Sequence, residues 1–200
     1  VAGLRPPRLP MSTTSVPLFP LHTVLFPGGW LPLQIFEVRY LDLMQRCERS
    51  GEPFGVVALQ SGNEVRRAPQ AGQPPVVDTF MPVGTLASLT QVARPQPGLM
   101  FVMAQGGERF RLHGAQQLPH GLWMGEIETL PPDPLATVPE ELQPLVVQLQ
   151  DRLLGPADQA DDPDAPWPEA SAPCWRDAGW VAKRWAERLP LSVAERQRLM

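Results

Sequence analysis

PLFPLHTVLFPGGWLPLQIFEVRYLDLMQRC, residues 17–47, changes its hydrophobic period once, near Glu37. Before that point short apolar runs are interrupted by proline and glycine. Strand-like pieces are expected at residues 16–18 and 30–36, separated by a turn at Pro27-Gly28-Gly29, where glycine supplies positive φ. This reads as antiparallel, edge-rich β structure. From residue 37 to 50 the pattern becomes helical, with Tyr40, Leu41, Leu43, Met44 and Cys47 on one stripe and Arg39, Asp42, Arg46 and Arg49 opposite. Gly51 is placed to end that helix in the left-handed conformation.

Outward from this block, FGVVAL at 54–59 is a continuous apolar run of strand length, which implies burial on both faces. Residues 61–75 are polar and rich in Gly and Pro and read as a mobile loop. Strands resume at 79–92. In LMFVMAQGGERFRL, 99–112, Gly106-Gly107 separates two β-type runs, which predicts a two-residue hairpin turn. Beyond it Phe110 and Leu112 share one face and Arg109 and Arg111 the other; 122–129 pairs with that strand, bringing Glu126 and Glu128 near the arginines. LPPDPLATVP, 130–139, is a stiff linker. Leu142, Leu145, Val146, Leu149 and Leu153 then recur at helical spacing, with Pro144 confined to the first turn. Residues 155–173 form an acidic, proline-rich loop. A helix over 177–189 puts Ala178, Val181, Ala182, Trp185 and Leu189 on one face, and Ser192 with Glu195 makes a capping box for a last helix.

Composition bounds the function. The chain has 200 residues, long enough for a substantial core, with ordinary hydrophobic (43%) and charged (19%) fractions that exclude a wholly disordered polymer. Its 26 prolines favour edges and turns over long helices. With 17 basic against 21 acidic residues and Lys183 the only lysine, the footprint for nonspecific nucleic-acid binding is weak. Cys47 and Cys174 read as buried thiols of a reducing compartment. No apolar run approaches the roughly 20 residues of a membrane span, and residues 1–10 lack the apolar core of a secretory signal. A soluble cytoplasmic protein is expected, with Met11 as its natural start.

The 17–47 block resembles the opening signature of the substrate-binding, amino-terminal domain of Lon proteases. PFGVV at 53–57, VGTLASL at 83–89, GERFRL at 107–112 and AERLPLSVAERQRLM at 186–200 extend the resemblance over most of 16–200. It implies an α+β fold: a PUA-like β-barrel with a short embedded helix over 16–130, a linker at 131–139, and a carboxy-terminal helical bundle over 140–200, after a leader at 1–15. It also implies a non-catalytic module of protein quality control that recognises unfolded or tagged polypeptide segments. Two alternatives remain beside it, a PUA-like RNA-binding protein and a regulatory adaptor for a separate protease. Within these residues there is no G-x-x-x-x-G-K-[ST] phosphate loop and no serine motif near Lys183, so neither nucleotide chemistry nor a Ser-Lys nucleophile has a home. No cofactor is expected.

Candidate contacts for a bound peptide start with Phe19, Leu21, Leu25 and Phe26, in a segment so broken by proline that not all can point inward. They either line a groove for extended apolar peptide or cover an open end of the barrel. Glu37, Arg39 and Tyr40 form the charged centre of the signature. Glu37 suits the amino-terminal end of a helix or a partner contact, and Arg39 suits a carboxylate or a peptide backbone, as does Arg109. Trp180, among Arg176, Lys183, Arg184 and Glu187, is either a partner contact or a ring beneath the proline-rich loop. His22, His113 and His120 match no metal-ligand spacing, and Asp158, Asp161, Asp162 and Asp164 lack the glycine and spacing of a calcium loop. No metal site is expected.

Overall fold

The computed structural model describes residues 13–62, 78–154 and 174–200. The first twelve residues of the expected leader, most of the 61–75 loop and the acidic loop with its four aspartates lie outside the described residues.

Seven strands make one mostly antiparallel sheet, joined by a few short helices. β1 (Thr14–Leu21) and β2 (Trp30–Ile35) flank the turn where Gly28 takes φ +70°, and they pair with different neighbours. β1 runs antiparallel to β7 (Trp123–Thr129) and parallel to β3 (Phe54–Ser61). β3 pairs with β5 (Val83–Gln96) and the short β4 (Thr79–Phe80), and β5 pairs with β6 (Leu99–Gln117), which pairs with β7. The path β1-β7-β6-β5-β3 therefore returns to β1. β2 sits outside this ring on the amino-terminal half of β6 and, among the described residues, pairs with nothing else.

The expected hairpin at Gly106-Gly107 is not formed: β6 runs straight through it for 19 residues. Neither glycine has positive φ; the turns on either side of β6 use Gly98 (φ +78°) and Gly121 (φ +91°) instead. Gly106 has another reason to lack a side chain, since a Cβ there would strike the carbonyl oxygen of Phe26. Its backbone exchanges hydrogen bonds with Gly28 (2.7 Å) and Gly29 (2.8 Å), so the glycine permits a close approach of the 26–29 turn to the strand. Local turn chemistry was outweighed by this tertiary contact.

α1 (Val38–Ser50) follows its sequence pattern. Tyr40, Leu43, Met44 and Cys47 are buried, and Gly51 caps the helix at φ +71°. Its apolar face closes over Phe19, Ile35, Phe54, Met100 and Val102, with the Phe19 and Tyr40 rings 4.3 Å apart. A second cluster of Leu18, Val57, Phe110 and Ile127 belongs to the ring strands. As expected, residues 54–59 of β3 are buried without interruption, because β3 has core on both sides.

After β7, a 3-10 turn (Glu140–Leu142) leads into α2 (Gln143–Leu154), followed by α3 (Ala178–Ala186) and α4 (Val193–Arg198). The capping box of Ser192 and Glu195 is formed. α2 and α3 share a small cluster of Val138, Val146, Leu149 and Val181, whereas Ala186, Val193 and Met200 pack with Val24, Phe26 and Ala58. The last helices thus lie partly on the sheet's own turn. The expected face of α3 is also adjusted: Ala182 and Leu189 are exposed, while Arg184 is buried. Cys47 is buried as expected, but Cys174 is exposed; both are free thiols.

Candidate functional site

The apolar segment named from the sequence lies inside. Leu18 and Phe26 are fully buried, and Phe19, Leu21 and Leu25 nearly so. Phe19, Leu21 and Leu25 join the cluster under α1, and Phe26 joins the one under α3 and α4. Buried in these clusters, the four side chains line no open groove. Tyr40 is likewise buried beneath α1, so none of these five named side chains (Phe19, Leu21, Leu25, Phe26 and Tyr40) offers its ring or alkyl group to a ligand.

Arg39 has a structural occupation. Its guanidinium pairs with Glu37 at 2.9 Å, donates to the Gly121 carbonyl at 2.6 Å and stacks on the Tyr40 ring at 4.5 Å. It thereby ties the start of α1 to the β6–β7 turn. Glu37 is the N-cap residue, but its side chain makes no cap hydrogen bond and serves Arg39 instead. Arg109 is held by Asp133 at 2.5 Å, by the Pro131 carbonyl at 3.1 Å and by the Met200 carbonyl. Asp133 also accepts from Lys183 at 2.6 Å, and these cations hold its carboxyl below the usual carboxylate range. The expected partner Glu128 stands opposite Arg111 in register and contacts His113 at 2.8 Å.

Trp180 is half-buried, edge-on to Trp175 at 4.9 Å with the Arg184 guanidinium 5.7 Å from its centre. The loop expected to cover it lies outside the described residues. Arg184 itself, 4% exposed, donates to the carbonyls of Gly28 (2.5 Å) and Pro27 (3.0 Å) and pairs with Glu187 at 2.8 Å. Burial costs both charges more than their attraction returns: the Arg184 pKa falls and that of Glu187 rises to about 6. The pair clamps α3 onto the turn that feeds β2.

The surface that is free lies elsewhere. β2, β6 and β5 run side by side, and a groove of about 480 Å³ lies along them, lined among others by Pro32, Gln34, Gln91, Ala93, Phe101 and Met103. Alternation explains it. Met100, Val102 and Ala104 point to the core under α1, so Phe101 and Met103 point out, and Phe101 is 45% exposed. Phe36, 53% exposed, continues the outward phase just past β2. No lining residue carries a charge. These residues were missed because each is ordinary alone; the signal was the strand period read with the knowledge of which phase α1 covers.

Other chemistries find little here. Among the described residues, no three His, Cys, Asp or Glu side chains are grouped to hold a metal ion. Arg94 is paired with Glu48 and Arg109 with Asp133. Among the described residues, no helix is long and apolar enough to cross a membrane.

Residues 15–200 match the family described as the ATP-dependent protease La (LON) substrate-binding domain. The chain is 32% identical over 108 residues to a Lon protease of Paraburkholderia phytofirmans, an overlap of 50% of this chain and 12% of that protein. With a Lon protease of Flavobacterium johnsoniae it shares 28% identity over 99 residues, 49% of this chain and 11% of that protein. It therefore spans a small part of these relatives' length. A crystal structure of a Lon N-terminal domain protein from Xanthomonas campestris is 31% identical and superposes with a TM-score of 0.64, covering 92% of this chain and 88% of that one.

Proposed function

Because the chain belongs to the Lon substrate-binding domain family, we propose that it is a non-catalytic module that holds unfolded polypeptide segments on the groove of β2, β6 and β5. The observation that carries this reading is the uncharged, mostly apolar lining around a half-exposed Phe101. A continuous, mostly apolar groove left open on one sheet face supports an interaction site there. An apolar partner without charges loses least on entering such a lining. The peptide-contact role expected for Glu37, Arg39 and Arg109 becomes a supporting one, since these side chains hold the elements that frame the sheet. The return of the pairing path to β1 supports a PUA-like barrel within this reading. The two free thiols support a reducing, cytoplasmic setting.

The test is binding of reduced, alkylated lactalbumin, a permanently unfolded probe, measured by fluorescence anisotropy. Removing a ring that is 45% exposed forfeits on the order of 90 Å² of contact, about 2 kcal/mol or up to thirty-fold in affinity. Phe101→Ala is expected to weaken binding within that limit while the unfolding midpoint stays put. Unchanged affinity would remove the groove from the function.

A further inference from the structure

Resting on the polypeptide-binding reading, we propose that Gln34 and Gln91 recognise the backbone of the bound segment, so that the surface selects extended chain over helix. The argument starts from what an extended segment loses on this sheet. Its peptide N–H and C=O groups leave water, and burying them unpaired costs more than apolar contact returns. β6, the strand such a segment would lie across, has its own backbone groups engaged by β2 on one side and β5 on the other. Among the lining residues the only polar side chains are Gln34 and Gln91. Both are exposed, and neither has a hydrogen-bond partner among the described residues.

Their placement suits the task. Gln34 on β2 stands opposite Phe101, and Gln91 on β5 stands opposite Met103, so the two amides flank β6 on opposite sides and one step apart along it. Strand spacing and rise put them about 12 Å apart, the span of three to four residues of extended chain. A segment laid from one amide to the other crosses between Phe101 and Met103, and its alternate side chains fall against them. A carboxamide offers a donor and an acceptor together, as a peptide unit does, and so pairs with it whatever the side chain. A helix has already satisfied its backbone and gains nothing from either amide.

The test uses the full chain and two synthetic peptides of one uncharged, apolar-rich sequence, the second N-methylated at alternate residues. Methionine keeps the length of glutamine without the amide, so the variant is Gln34→Met/Gln91→Met, with Phe101→Ala beside it. The parent is expected to bind the unmethylated peptide about ten-fold more tightly than the methylated one, two net hydrogen bonds' worth. The double variant should bind the unmethylated peptide about ten-fold more weakly than the parent and lose the discrimination. If the double variant keeps affinity and discrimination while Phe101→Ala loses affinity, the amide assignment fails and the polypeptide reading stands. If Phe101→Ala also binds like the parent, both fail.

Discussion

Replacing Arg184 with methionine removes the clamp between α3 and the turn ahead of β2. The side chain is 5% exposed, and its loss strands two carbonyls, at Pro27 and Gly28, and leaves the half-buried Glu187 without its nearest cation. Breaking a buried pair from one side costs about 3–5 kcal/mol. Arg188 remains 3.7 Å from Glu187, so the lower end, about 3 kcal/mol, is expected at pH 7.5. The pH dependence follows from Glu187, whose pKa burial raises from 4.5 to about 6, against the pull of Arg184, Arg188 and Arg196. Between those values the folded chain holds a proton that the unfolded chain has released. This contribution, about 2 kcal/mol, is complete below pH 4.5 and lost as pH rises through 6. Without Arg184 the proton is held more tightly still, so the variant recovers part of its deficit at pH 5. Glu187→Gln in the same background should recover stability at pH 7.5. Urea unfolding followed by tryptophan fluorescence, with an unchanged m-value, measures all three. A loss below about 1 kcal/mol, or no recovery from the second substitution, would refute the clamp.

Two further substitutions test the packing. Phe26→Ala empties a fully buried site beneath α3 and α4 and should cost about 3–5 kcal/mol in the same urea experiment; a loss under half of that would mean the site is not core. Gly106→Ala drives a Cβ into the Phe26 carbonyl, whereas Gly114→Ala, on the same strand, meets nothing within 4 Å. The first should lower stability by about 1–3 kcal/mol and the second leave it unchanged or higher.

Much of the fold was legible because the informative patterns were local. The switch of period at Glu37 located α1, Gly51 its end, and Ser192 with Glu195 the start of α4. Where reading failed, a distant contact had overridden a local signal. Gly106-Gly107 looked like a turn because glycine pairs favour turns, yet Gly106 answers to Phe26, eighty residues away in sequence. Arg184 looked like part of a solvated face because arginine is seldom buried, yet two turn carbonyls and Glu187 receive it. The site was less legible than the fold. Phe19, Leu21, Leu25 and Phe26 drew attention by being apolar amid prolines, but such a segment can be buried when the chain's other elements fold over it. Phe101 and Met103 were hidden in a run that is apolar in both phases, so only the position of α1 reveals which phase faces water.

Pro32 stands midway along β2, whose pairing with β6 is unbroken on both sides of it. A proline fits there when its missing N–H faces away from the neighbouring strand. The outer margin of β2 therefore lacks a donor at its centre, and an extended chain from another molecule would find no unbroken template there on which to add as a further strand.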